Sequence, residues 1–168
     1  MMKLKTKEIA VFAMLGALMY ASKLVMEALP NIHLLGTFVV AFTVLYRKKA
    51  LYIIYTYVLI LGLVSGFPAW WVANLYTWTV LWAVVMLIPK NMPVKIAPIV
   101  YMSVSALHGL LYGTLSAPAQ SLLFGLNLKA TLLWIAAGLS FDLIHGISNF
   151  ICGLLIVPII KALGSLKI

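Results

Sequence analysis

This sequence predicts an all-α integral membrane protein, a compact bundle of six transmembrane helices with both ends in the cytoplasm. Three observations predict it: composition, the length of the apolar runs, and the placement of basic residues. The 168 residues are 65% hydrophobic and 9% charged, with a mean hydropathy of +1.14. A soluble domain is about half apolar and a quarter charged. A chain this short has too little interior to hide its apolar surface from water, so lipid must cover the rest. The apolar runs are continuous rather than alternating. That selects helices over a barrel, the two structures that satisfy backbone groups in lipid. Each span takes roughly 20 residues, so there is room for about six spans with short loops and no soluble domain. Residues 1–168 therefore form a single transmembrane domain.

The first span is expected over about Ile9 to Leu29, ending at Pro30-Asn31, with the basic start Met1 to Glu8 leading into a retained helix rather than a cleaved signal. The second, Ile32 to Tyr46, is short at roughly 22 Å and is closed by Arg47, Lys48 and Lys49. The third covers Ala50 to Ser65 before Gly66-Phe67-Pro68, and the fourth Trp70 to Ile88 before the segment Pro89 to Pro93. The fifth runs from Ile96 to Ala117 and is closed by Pro118. Ala119 to Gly138, with Gln120, Asn127 and Lys129, is expected to be less regular, with short helices at the interface. The sixth span is Leu139 to Leu163.

Placing the N-terminus inside puts Lys3, Lys5, Lys7, Arg47, Lys48, Lys49, Lys90, Lys95, Lys161 and Lys167 in the cytoplasm. Lys23 and Lys129 fall outside, so the 12 basic residues divide ten to two. The positive-inside bias holds at every loop. The net charge of +9 then reads as contact with anionic lipid rather than with nucleic acid. Cys152 is the only cysteine, which excludes an internal disulfide and suits a core filler. No internal repeat is evident.

Four sets of residues carry information. Ala10, Ala13, Ala17 and Ala21 form a small-residue stripe on the first span, suited to close approach of another helix. Packing within the bundle and contact with a partner protein both remain open for it. The fifth span carries Gly109, Gly113 and Ala117 on one face and Tyr101, Ser105, His108 and Tyr112 on another. On the sixth, Asp142, His145 and Asn149 stand at i, i+3 and i+7, one His and one carboxylate making a poor metal set. On the fourth, Trp71, Asn74, Trp78 and Trp82 share a side, and the last two lie too deep for an interfacial belt alone. Polar groups at membrane depth are costly and face an interior or a cavity. In the assumed orientation Lys23, Glu27, Asn74, Tyr112, Asp142, His145 and Asn149 all fall in the outer half, with His33 and Gln120 beside the outer loops. That distribution describes a ligand pocket open to the outside. Its candidate residues are Lys23, Glu27, His33, Trp71, Asn74, Trp78, His108, Tyr112, Asp142, His145 and Asn149. Their aromatic rings suit a flat heterocycle. Lys23 and the histidines suit an anion, Glu27 and Asp142 a cation, and the sign of the ligand's charge stays open.

With its size, span number, basic start, Ala13-x-x-x-Ala17 motif and the segment Phe141-Asp142-Leu143-Ile144-His145-Gly146-Ile147-Ser148-Asn149, the chain resembles the substrate-binding S components of energy-coupling factor (ECF) vitamin transporters. The resemblance spans the whole chain. It implies a bacterial plasma-membrane protein that captures a vitamin or precursor near the outer face. It implies that Ala13 and Ala17 contact a membrane-embedded T subunit, and that two partner ATPases use the ATP. No cofactor is expected in this chain. The alternative is a small structural membrane protein of the bacterial cell-shape machinery, without a transported ligand. No phosphate loop, Cys-His pairing or HExxH motif is present, so no enzymatic reaction is assigned.

Overall fold

A computed structural model of the protein describes residues 4–165, and among these all regular structure is helical. Lys3 and Lys167, counted above with the cytoplasmic residues, lie outside the described residues. The helices are α1 (Thr6–Val25), α2 (Leu35–Tyr46), α3 (Ala50–Ser65), α4 (Trp71–Leu87), α5 (Ala97–Leu110), α6 (Tyr112–Phe124), α7 (Leu128–Cys152) and α8 (Ile156–Gly164). Four stretches are long and apolar enough to cross a membrane: Thr6–Val25, Leu35–Ser65, Ala97–Phe124 and Leu128–Gly164. The helix Trp71–Leu87 is shorter. Apolar side chains such as Met14, Leu63, Leu87, Leu122 and Leu133 cover the outside, while Thr37, Asn74, Thr77, Ser105, His108, Asp142 and Asn149 are buried. Polar groups inside and apolar groups outside is the arrangement lipid demands. The chain is a membrane protein.

Contacts between the helices give their directions. Glu8 of α1 pairs with Lys49 beside α3, and Gly16 lies against Thr56, so α1 and α3 run parallel. The Tyr55 hydroxyl of α3 donates to the Leu75 carbonyl of α4 at 2.9 Å, and the Trp71 indole to the Val58 carbonyl at 2.8 Å, so α3 and α4 are antiparallel. On the other side, Met102 meets Gly153, Ser105 meets Asn149, and Gly113 meets Asp142, an antiparallel zipper of α5 and α6 on α7.

Leu35 to Thr43 of α2 is buried without interruption, so this helix is the central rod of the bundle. A helix that is apolar all round is one with neighbours on every side. Shielded in this way, α2 is not held to the bilayer thickness and is about 18 Å long. It ends at Arg47, whose φ of 52° reverses the chain into α3 through a 3₁₀ turn, Arg47–Lys49. The guanidinium donates to the carbonyls of Met86 at 2.7 Å and Ile88 at 3.4 Å, and the Trp82 indole donates to the Arg47 carbonyl at 3.1 Å. The turn is thus pinned to the C-terminal end of α4, where backbone carbonyls are unsatisfied and a cation is favoured.

Four expectations are corrected. Ala119 to Gly138 is helical except at a short turn, and Pro118 lies inside α6 instead of closing a span. Helices in lipid tolerate proline because the freed backbone groups find other partners. The turn falls at Gly125, in the left-handed region at φ 62°, and the side chain of Asn127 caps α7 by accepting from the Ala130 N–H at 2.9 Å. The expected sixth span therefore begins at Leu128 rather than Leu139. The expected second span begins at Leu35 rather than Ile32, after a connection that includes Asn31 at φ 61°.

Candidate functional site

The helix entering at Ala97 is interrupted once, at Leu111, and the site forms around that break. Gly113 is the second residue of α6, where a helix leaves N–H groups without an internal partner. Its N–H donates to both carboxylate oxygens of Asp142 on α7, at 2.9 and 3.2 Å. The approach needs glycine: a Cβ at Gly113 would lie 2.6 Å from Asp142 Oδ2. Asp142 is 4% exposed.

Beside this joint, a cavity of about 270 Å³ opens between α4, α6 and α7. Its α4 wall comes from the start of that helix, Ala73 and Asn74 with Ala69 and Trp70 before it. The cavity is therefore at the end of the bundle opposite Arg47, Lys48, Lys49 and Lys90, which share one shallow depression. Of the residues predicted from sequence, Asn74, Tyr112, Asp142 and His145 line it, together with Gly113, Ser116, Ala119, Gln120, Trp134, Gly138 and Phe141.

Tyr112 and His145 also belong to a buried cluster of rings. His145 lies 5.2 Å from Tyr112 and 5.2 Å from His33, and Trp78 lies 5.4 Å from His108 and 6.0 Å from Tyr112, between ring centroids. All three histidines of the chain converge here. His33 is carried by the connection between α1 and α2, which Ser148 of α7 anchors by donating to the Asn31 carbonyl at 3.1 Å. Burial, and secondarily His145 and His108 nearby, lower the His33 pKa to about 4. The Trp78 indole donates to Asn74 Oδ1 at 2.8 Å, and His108 Nε2 donates to the Thr77 carbonyl at 3.0 Å.

Several polar atoms around this cluster are buried with no hydrogen-bond partner among the described residues. They include Nδ1 of His33, His108 and His145, the hydroxyl of Ser105, and Asn149 Oδ1. Most buried polar groups are paired, and leaving one unpaired costs about 1–3 kcal/mol. Of these, His145 Nδ1 belongs to a residue that lines the cavity.

The other predicted residues stand apart. Lys23 and Glu27 pair with each other at 2.9 Å near the end of α1, and neither lines the cavity. Trp71 serves the α3–α4 contact, with its ring 5.0 Å from Phe67 and edge-on to it. Asn149 donates to the Ser105 carbonyl at 3.2 Å and fills the space above Gly36 and Gly109, a joint between α2, α5 and α7. Ala13 and Ala17 are exposed, while the neighbouring Gly16 makes the internal contact with α3. The alanine stripe is therefore not used for packing within the chain.

Sequence reasoning missed Ser116, Trp134, Gly138 and Phe141. Trp134, Gly138, Phe141, Asp142 and His145 stand at i, i+4, i+7, i+8 and i+11, a single helical face. The expectation of irregular structure before Leu139 hid the first half of that face. Comparison with protein-family models, curated proteins and solved structures finds no match.

Proposed function

We propose that this chain is the substrate-binding S component of an ECF-type importer. In that reading it crosses the plasma membrane of a bacterium six times, with both ends in the cytoplasm, and captures a vitamin-like molecule from the outside. The observation that carries the reading is the cavity at the Gly113–Asp142 joint, with aromatic walls and the buried polar groups Asn74, Ser116, Asp142 and His145. Small-molecule sites combine apolar walls with a few placed polar groups in this way. The six spans are α1, α2, α3, α4, α5 with α6, and α7 with α8. The basic residues Arg47, Lys48, Lys49 and Lys90 gather at the end away from the cavity, which under the positive-inside rule supports an outward-facing cavity. The exposed Ala13/Ala17 face supports docking of a T subunit, because small side chains let a foreign helix approach closely. Two ATPases bound to that subunit would supply the energy.

The test is mass spectrometry of small molecules that co-purify with the detergent-solubilised chain, compared with Gly138→Phe. Gly138 lines the cavity, and a Cβ there meets no heavy atom within 4 Å, so the phenyl ring grows into free space. A ligand present in the wild type and lost in the variant supports the proposal. A folded wild-type protein that retains no ligand from any growth medium, and no vitamin from an added panel, refutes it.

A further inference from the structure

We propose that the cavity takes a small, flat, positively charged molecule, a ring bearing an ammonium or amidinium group, and rejects carboxylates and phosphates. This rests on the cavity being the ligand site argued above and names the charge class of its ligand.

Carboxylate pairing points to this first. The chain has three acidic residues. Glu8 pairs with Lys49 and Glu27 with Lys23. Asp142, the most buried of the three, pairs with no cation among the described residues. The Gly113 N–H occupies part of its acceptor capacity, and a carboxylate offers about four lone-pair sites. A buried charge without a counter-charge is costly, and a cationic ligand removes that cost.

The second observation is what the walls leave out. The protein carries 12 lysines and arginines, yet none lines this cavity, and Asp142 is its only charged wall residue. An anionic ligand would be desolvated beside a carboxylate with no compensating cation. Trp70, Trp134 and Tyr112 present aromatic rings, whose faces attract cations. The buried Ser116 hydroxyl on the cavity wall adds a further acceptor for N–H donors. The volume of about 270 Å³ accommodates a small ring system.

Benzamidine, benzamide and benzoate test the assignment, since they share one shape and carry charges of about +1, 0 and −1 at neutral pH. Calorimetry on the purified full chain is expected to show benzamidine bound at least about tenfold more tightly than benzamide, with benzoate weakest. Asp142→Asn keeps an oxygen for the Gly113 N–H and is expected to bring benzamidine down to the benzamide level. Benzoate bound as well as benzamidine, no benzamidine binding, or a folded Asp142→Asn protein with unchanged benzamidine affinity would each overturn the assignment. If Asn at this position prevents folding, the ranking of the three probes on the wild type decides alone. Loss of the charge preference while a co-purifying molecule is still displaced by Gly138→Phe would sink this inference and leave the binding function standing.

Discussion

Adding one methyl group at Gly113 should damage this protein far more than adding the same group at Gly138. A Cβ at Gly113 falls 2.6 Å from Asp142 Oδ2 and 3.2 Å from its carboxyl carbon. Carbon and oxygen do not tolerate the shorter distance, so the carboxylate must withdraw and release the Gly113 N–H. Hydrogen bonds to a charged group contribute about 1.5–3 kcal/mol, and a buried charge deprived of its partner brings the loss to about 3–5 kcal/mol. Gly138 has the opposite prospect. A Cβ there meets nothing within 4 Å, so Gly138→Ala only lowers the chain entropy lost on folding. That stabilises a helix by about 0.5–1 kcal/mol. The two variants should therefore lie on opposite sides of the wild type, about 4 kcal/mol or more apart. Unfolding in detergent, followed by tryptophan fluorescence, measures this. Equal midpoints for Gly113→Ala and wild type would show that the Asp142 carboxylate is not held at the start of α6.

Three further outcomes are expected. Gly16→Leu, whose Cβ falls 2.6 Å from Thr56 Cβ, should destabilise by about 1–3 kcal/mol through overpacking, while Ala17→Leu on the exposed face should leave stability within about 0.5 kcal/mol and block uptake; uptake that survives Ala17→Leu would remove that face from partner docking. Arg47→Ala should cost about 1.5–3 kcal/mol by leaving the Met86 and Ile88 carbonyls unbonded, and Arg47→Lys should restore only part of it, since a lysine cannot span both; full recovery with lysine would show that charge alone matters. His33 is a base whose pKa is lowered by folding, so the unfolded chain takes up the proton first: stability should be full above about pH 6.5 and fall as pH drops from there towards 4. His33→Gln should flatten that acid limb in thermal melts, and an unchanged limb would place the acid sensitivity elsewhere.

Part of the site was legible in the chain and part was not, for reasons that individual residues show. Asp142, His145, Tyr112 and Asn74 are legible because polar groups inside long apolar runs must face an interior, and all four line the cavity. The same reasoning cannot tell a ligand contact from a joint. Asn149 shares the face of Asp142 and His145, yet its amide serves the Ser105 carbonyl across the bundle. Trp71 shares the face of Asn74, yet its indole reaches back to Val58. Lys23 and Glu27 have the depth and the charge for a ligand contact, yet their i, i+4 spacing equally allows a pair, and each meets the other's charge one helical turn away.

By itself the sequence determined the solvent and the helical class. Apolar runs of this length leave the backbone no option but helices, and basic residues mark the ends of those helices, because both are local consequences of transferring groups between water and lipid. Tertiary structure alone decided where the fifth rod breaks. Proline is the local signal for a break, but the interruption lies at Leu111, where Asp142 from a helix 29 residues further along accepts the freed Gly113 N–H. It also decided that Gly16 faces inward and Ala17 outward, a choice set by where Thr56 of α3 stands. A break or a close contact is stable only if its partner arrives from elsewhere in the chain, and the position of that partner is not written in the local sequence.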